Sequence, residues 1–271
     1  TMIFHYLKIA FRNLCKHKTQ NIISIIGLAV GLLCFCVCIY CSRFVESTDH
    51  CFANHDRIAE LNLYDGKADR YFSGSPVPLA EDLRTWALGE TEAISSVTYP
   101  RERPYYVELS PEKTLPYELE TIEIDTCYNK IFTPELVAGH WKMASQSLNS
   151  VILSQSMAIK IFGNAESAIG KHMTLMRRLN TSPESTPKTG GIVYTIQAVM
   201  KDIPLNNSLD FMQNIDMLTV NDSEGLLQSS KRHNMTGANT YVLLSPQTTC
   251  TDLEKQFSKR DYTYTSVSYT H

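Results

Sequence analysis

No acidic residue occurs among the first 20 positions, and no charged residue of either sign occurs between Asn21 and Cys41. The second absence excludes a buried core helix for that stretch, which would be shorter and amphipathic. Nor is there a basic run anywhere after position 20. Residues 1–20 carry Lys8, Arg12, Lys16 and Lys18, so against a net charge of −3 for the 271 residues the remainder sums to −7. A surface of that sign argues against nucleic acid as a partner. Cysteine is scarce where a disulfide framework would need it. Of eight cysteines, Cys15 precedes the apolar run, Cys34, Cys36, Cys38 and Cys41 lie within it or at its end, and only Cys51, Cys127 and Cys250 remain. One bridge between Cys127 and Cys250 is open to such a set, and free buried thiols are the favoured alternative.

Catalytic signatures are missing as well. There is no H-E-x-x-H, and Cys38-Ile39-Tyr40-Cys41 would place a thiolate cluster in hydrocarbon, which is costly. Residues 163–172 resemble a phosphate loop, but the first glycine stands too far from Gly170-Lys171, and His172 cannot supply the magnesium-binding hydroxyl. No G-x-S-x-G nucleophile elbow exists and the histidines are scattered. The expectation is a protein that is not an enzyme and carries no catalytic, metal or cofactor site of its own.

What is present is a membrane anchor. The uncharged run is long enough to cross a hydrocarbon layer of about 30 Å at 1.5 Å per residue, which predicts a transmembrane helix over 21–42. The four cations before it, against Arg43, Glu46, Asp49 and Asp56 after it, orient the N terminus to the cytoplasm and the main domain outside. Gly27 and Gly31 form a G-x-x-x-G, read equally as a helix-packing face or as ordinary membrane-helix glycine. In residues 1–20, Phe4, Leu7, Phe11 and Leu14 recur on one helical face, and Lys8, Arg12 and Lys16 on another. This predicts an amphipathic basic helix lying on membrane lipid, with packing against a protein partner as the alternative.

Residues 43–271 read as an α+β domain. A short helix is expected from the spacing of Leu79, Leu83 and Trp86, a strand over 94–99, and strands within 104–124 broken near Ser110-Pro111. A buried strand over 150–153 should enter a helix over 155–162 closed by Gly163. A hairpin pairs 173–179 with 192–200, Tyr194, Ile196 and Ala198 sharing a face. Further strands are expected at 211–218 and 240–244, and a helix over 252–257 capped by Thr251.

Phe11-Arg12-Asn13-Leu14, Lys16 and Lys18, then Asn21 through Gly31, resemble the start of MacB/FtsX-like ABC transporter permeases. Val151-Ile152-Leu153-Ser154, Ala158, Lys160, Phe162-Gly163, Ile169-Gly170-Lys171, Lys201-Asp202-Ile203-Pro204 with Asn207-Ser208, and Thr240 through Leu244 are similar to the same family's extracytoplasmic domain. The resemblance implies a permease subunit that uses no cofactor itself, works with a separate cytoplasmic ATPase that consumes ATP, and pairs with a second permease copy. In efflux members a periplasmic adaptor and an outer-membrane duct would follow. The location implied is the cell inner membrane. It also implies a division of the outer domain into a membrane-proximal part, about 43–110 with 236–271, and an inserted β-rich part, about 111–235. Such permeases carry three more spans, so the chain is expected to be a fragment of one. The competing class is a single-pass membrane-anchored sensor or ligand-binding module, whose span and α+β ectodomain would look alike.

Overall fold

The structure is a computed structural model that describes residues 4–6, 12, 16, 18–65, 69–72, 74–76, 79–86, 88–110, 113–146, 149–175, 192–209, 214–220, 236–258 and 266–269. The chain divides into two compact units, Thr1–Ser47 and Thr48–His271.

The first unit is dominated by one helix, α1 (Lys18–Glu46), 29 residues long with none buried. At 1.5 Å per residue it is about 43 Å long, enough to cross a bilayer with turns to spare. Its last turn is closed locally: the Ser47 amide donates to Arg43 O at 3.1 Å and the Ser47 hydroxyl to Phe44 O at 2.9 Å. Upstream, residues 4–6, 12 and 16 are helical and exposed. Lys8, Leu7, Phe11 and Leu14, on which the expected amphipathic pattern also depends, lie outside the described residues.

The second unit is built on one extensively paired sheet. Its strands are β1 (Ile58–Asp65), β2 (Arg70–Phe72), β3 (Ser75–Pro76), β4 (Thr91–Thr98), β5 (Arg101–Ser110), β6 (Lys113–Ile124), β7 (Leu136–Gly139), β8 (Ser150–Ser154), β9 (His172–Leu175), β10 (Ile192–Met200), β11 (Met217–Val220), β12 (Thr236–Leu244) and β13 (Ser266–Tyr269). Helices α2 (Leu79–Thr85), α3 (Tyr128–Ile131), α4 (Trp141–Gln146), α5 (Gln155–Phe162) and α6 (Cys250–Ser258) connect and cover them. Six strands close on themselves in the order β6, β5, β9, β10, β8, β11 and back to β6. Two of those pairings, β8 with β10 and β6 with β11, are parallel, and the rest are antiparallel. From β6 the sheet continues through β4, β12, β1 and β13 as an open wing. The architecture is the mixed α+β expected.

One face of the ring packs Tyr105, Val107, Leu119, Val151, Leu153, Met173, Tyr194, Ile196 and Met217 with Met157, Ala158 and Ile161 of α5. The alternate residues Ile122, Ile124, Ile152, Leu218 and Val220 enter a second cluster shared with the wing. With both faces covered, β8 and β11 are buried at every position. The far face of the wing, through Ala59, Leu61, Ile94, Val242 and Leu244, is covered by α2 and α6.

Local signals hold where the chemistry is local. Ser154 caps α5, its hydroxyl accepting from the Met157 amide, and Gly163 ends it at φ +86°, its amide donating to Ile159 O at 2.9 Å. Other expectations need correction. A bulge between Ile196 and Ala198 turns β10 over, so Ala198 and Met200 join the shared cluster while Val199 joins Tyr194 and Ile196. Helix α6 starts at Cys250 rather than 252. Thr249 caps it, not Thr251: the Asp252 amide donates to Thr249 Oγ1 at 3.3 Å and the Thr249 amide to Asp252 Oδ2 at 3.2 Å. The strand expected at 211–218 is found at Met217–Val220 as β11, with 211–213 outside the described residues, and residues 176–191 of the expected hairpin, its loop at 180–191 included, also lie outside them. Cys127 and Cys250 are both free thiols.

Candidate functional site

The described domain begins where the chain leaves the apolar helix, and there it is fastened at once. Asp49, three residues beyond α1, is wholly buried. It adopts φ +62°, a left-handed conformation that aspartate tolerates better than most residues. Its amide donates to Asn206 O at 3.1 Å, its Oδ1 accepts from the Ser208 amide at 2.8 Å, and its carbonyl accepts from the Phe52 amide at 2.9 Å. Phe52 then packs edge-on against Phe132 at 5.0 Å. Asn54 donates from its side-chain nitrogen to Lys130 O at 3.1 Å and Ile131 O at 3.2 Å, satisfying carbonyls at the end of α3.

The loop that receives Asp49 is itself rigidly held. The Lys201 amide donates to Glu135 O at 2.8 Å, and Asp202 Oδ1 accepts from the Ser156 amide at 3.0 Å in the first turn of α5, where negative charge is favoured. Buried Asn207 accepts from the Leu209 amide at 3.0 Å and donates to Pro204 O at 2.6 Å, an Asx turn that points the Ser208 amide at Asp49. Ser208 O accepts from the Tyr241 hydroxyl at 3.3 Å, which in turn accepts from Asn239 Nδ2 at 3.2 Å. Tyr128 and Tyr241 both lie against Phe132, each with centroids 4.9 Å from it. Burial raises both phenols well above their ordinary range, with nearby acidic groups adding to it, so both are neutral donors at physiological pH.

A second buried carboxylate knits the wing to α2. Asp125, at the end of β6, accepts from the Ser95 hydroxyl at 2.7 Å and from the amides of Ser96 and Cys127 at 3.0 Å each, and pairs with the Arg84 guanidinium. Arg84 also donates to Ile94 O at 2.8 and 3.0 Å and to Glu81 at 2.9 Å. Burial works against the guanidinium charge, but Asp125 outweighs it and holds the group protonated.

The residues singled out from the sequence lie in the first unit. Gly27 and Gly31 are exposed on α1, with nothing within 4 Å of where a side chain would start. Arg12, Lys16 and Lys18 are helical and exposed, and Lys8 lies outside the described residues. Among the described residues, no group of three or more His, Cys, Asp or Glu side chains could hold a metal ion. Sequence reasoning missed Asp49, Tyr128, Asn239 and Tyr241. The signals for this network are the Lys201-Asp202-Ile203-Pro204 and Asn207-Ser208 stretch and the Thr240–Leu244 stretch, which carry the family resemblance but do not by themselves show that their residues meet Asp49.

A helix long and apolar enough to cross a membrane, followed by a mixed α+β domain, is the layout of a membrane-anchored protein. The profile of the MacB-like periplasmic core domain matches residues 22–260, and the chain belongs to that family. Its fold is similar to a domain from Porphyromonas gingivalis assigned to a permease protein, with a TM-score of 0.60 at 20% identity over 80% of this chain and 92% of that one. It is also similar to the periplasmic region of MacB from Actinobacillus actinomycetemcomitans, with a TM-score of 0.51 at 14% identity over 80% and 90% of the two chains. No curated protein matches the sequence. The protein is thus a membrane protein with an extracytoplasmic domain, and the resemblance to MacB/FtsX-like permeases read from its residues holds.

Proposed function

We propose that the chain serves as the permease component of an ABC transporter, in which a separate cytoplasmic ATPase drives motion of the extracytoplasmic domain for export or efflux. The observation that carries this reading is the family match, which takes in most of the apolar helix together with the domain over residues 22–260. The Asp49 latch supplies a physical means. A force on the chain at Thr48 reaches a wholly buried carboxylate within one residue and, through Ser208, Tyr241 and Asn54, the loop, the wing and α3.

The finer assignments rest on the family resemblance and on the charge pattern of the first residues. ATP belongs to the partner ATPase, and this chain uses no cofactor. Lys8, Arg12, Lys16 and Lys18 meet anionic lipid on the cytoplasmic side of the inner membrane, which sets the N terminus inside. Gly27 and Gly31 admit close approach of a helix from a second permease copy. The resemblance divides the domain into an inserted β-rich part, about 111–235, and a membrane-proximal part, about 43–110 with 236–271, which leaves β5 of the ring with the membrane-proximal part. In an efflux assembly a periplasmic adaptor and outer-membrane duct lie beyond it.

The test is to express the complete gene product with the ATPase encoded nearest to it and isolate both from lipid nanodiscs. A stoichiometric complex whose ATP hydrolysis differs from that of the ATPase alone is the expected result. A gene product that binds no ATPase would sink the proposal and leave an anchored sensor or binding module.

A further inference from the structure

Six buried side-chain polar atoms among the described residues have no hydrogen-bond partner within the protein, and four of them belong to residues of the Asp49 network: Asp49 Oδ2, Tyr128 OH, Ser208 Oγ and Asn239 Oδ1. Native proteins pair the large majority of such atoms, so four in one network need a cause. The four residues are linked. Ser208 bonds Asp49 through its amide at 2.8 Å and Tyr241 through its carbonyl at 3.3 Å, and Tyr241 bonds Asn239 at 3.2 Å. Tyr128 stacks on the same Phe132 ring that Tyr241 meets edge-on, and it lies close enough to Asp49 to sense its charge. Asp49 and Tyr128 are wholly buried.

Their chemistry is complementary to one small molecule. The Asp49 and Asn239 oxygens can only accept, whereas the Tyr128 and Ser208 hydroxyls can donate. A water donates two hydrogen bonds and accepts two, and buried waters commonly make two to four bonds to otherwise unpaired groups. A monovalent cation would engage oxygen lone pairs but leave both hydroxyl protons without acceptors. We infer that the latch is a binding site for one ordered internal water, donating to Asp49 Oδ2 and Asn239 Oδ1 and accepting from the Tyr128 and Ser208 hydroxyls. The water joins four separate pieces of chain: the segment leaving the helix, α3, the loop after β10, and β12. A water can exchange partners without breaking any protein bond, so it lets these pieces shift against one another at small cost. The site stands whether or not the chain works in a transporter.

The test is crystallographic, on the full chain in a lipidic phase at a resolution that orders solvent, with crystals grown in sodium and in rubidium salts. One solvent peak at about 2.6–3.2 Å from all four oxygens, unchanged by rubidium, is expected. In Ser208→Val, whose added methyls take the space, the peak should be lost. Direct pairing of the four groups with no peak would overturn the inference, as would a peak that grows stronger in rubidium, which would mark a cation. Should Ser208→Val fail to fold, Tyr128→Phe removes a single donor at nearly constant volume. Oxygen-17 relaxation should then show the residence time of one long-lived water shortened roughly five- to tenfold, the weight of one ordinary hydrogen bond. An unchanged residence time would equally defeat the assignment.

Discussion

The Ser208 amide donates to Asp49 Oδ1 at 2.8 Å across 159 positions of sequence. This bond joins the first buried residues after the apolar helix to a loop already locked by Asn207 and Asp202. Replacing Asp49 by Ala would leave the Ser208 amide without its acceptor, a loss of roughly 1.5–3 kcal/mol for a bond to a charged group. Asp49→Asn should cost less, because asparagine keeps an acceptor and tolerates φ +62°. Asp49→Val should cost most, because a β-branched residue resists that conformation. Urea midpoints of the full chain in detergent would rank the three, and equal midpoints for Asn and Val would exclude the latch.

Buried Asp125 pairs with half-buried Arg84, and both of its carboxylate oxygens are engaged. Asp125→Ala should destabilise the domain by about 3–5 kcal/mol, since it strands a half-buried guanidinium together with the Ser96 and Cys127 amides. Arg84→Met should cost less, because the Ser95, Ser96 and Cys127 donors still serve the carboxylate. In a double-mutant cycle the two changes should be strongly non-additive. Simple addition would mean that the pair contributes nothing of its own.

Asp216 offers a pH test. Burial raises its carboxyl above the ordinary 3.8, only partly opposed by the Glu120 amide and the Lys160 charge. The folded chain therefore holds this proton more tightly than the unfolded chain does. Stability from this group is present at low pH and is lost as pH rises from 3.8 through the raised value, then stays level. Asp216→Asn keeps an acceptor for the Glu120 amide and cannot ionise. Its stability relative to the parent should climb with pH over that window and plateau, as read from unfolding free energies at closely spaced pH values. A difference that falls with rising pH would reverse the assignment.

Gly139 and Gly163 share positive φ but not space. A side chain at Gly139, φ +80°, would start 2.2 Å from Gln197 O and 2.7 Å from Ala198 Cα, where β7 crosses the bulge of β10. At Gly163, φ +86°, nothing lies within 4 Å. Gly163→Ala should therefore cost only the left-handed penalty of roughly 1–2 kcal/mol. Gly139→Ala should cost clearly more, because backbone must move as well. Thermal unfolding of the two variants side by side decides it, and equal losses would mean that β7 does not pack on the bulge.

The break between β5 and β6 shows where sequence patterns stop. The break expected near Ser110-Pro111 is a local signal, and β5 ends at Ser110 and β6 begins at Lys113. Those strands nonetheless pair from Arg101 with Thr121 up to Ser110 with Lys113, so a turn in the sequence need not divide the sheet. Likewise Tyr194, Ile196 and Ala198 alternate faithfully as letters, yet the bulge between Ile196 and Ala198 in the pairing of β10 with β8 sends Ala198 to the opposite face.

By itself the sequence determined the features that rest on neighbouring residues. An uncharged run from Asn21 to Cys41 must be a long apolar helix, because no other conformation satisfies its backbone in hydrocarbon. Ser154 and Gly163 bound α5 by bonds reaching three and four residues. Only the tertiary structure decided the closure of the six-strand ring, the pairing of Arg84 with Asp125, and the meeting of Asp49 with Ser208. A buried carboxylate is stable only where distant donors converge on it, and nothing in the residues around Asp49 says which donors those will be.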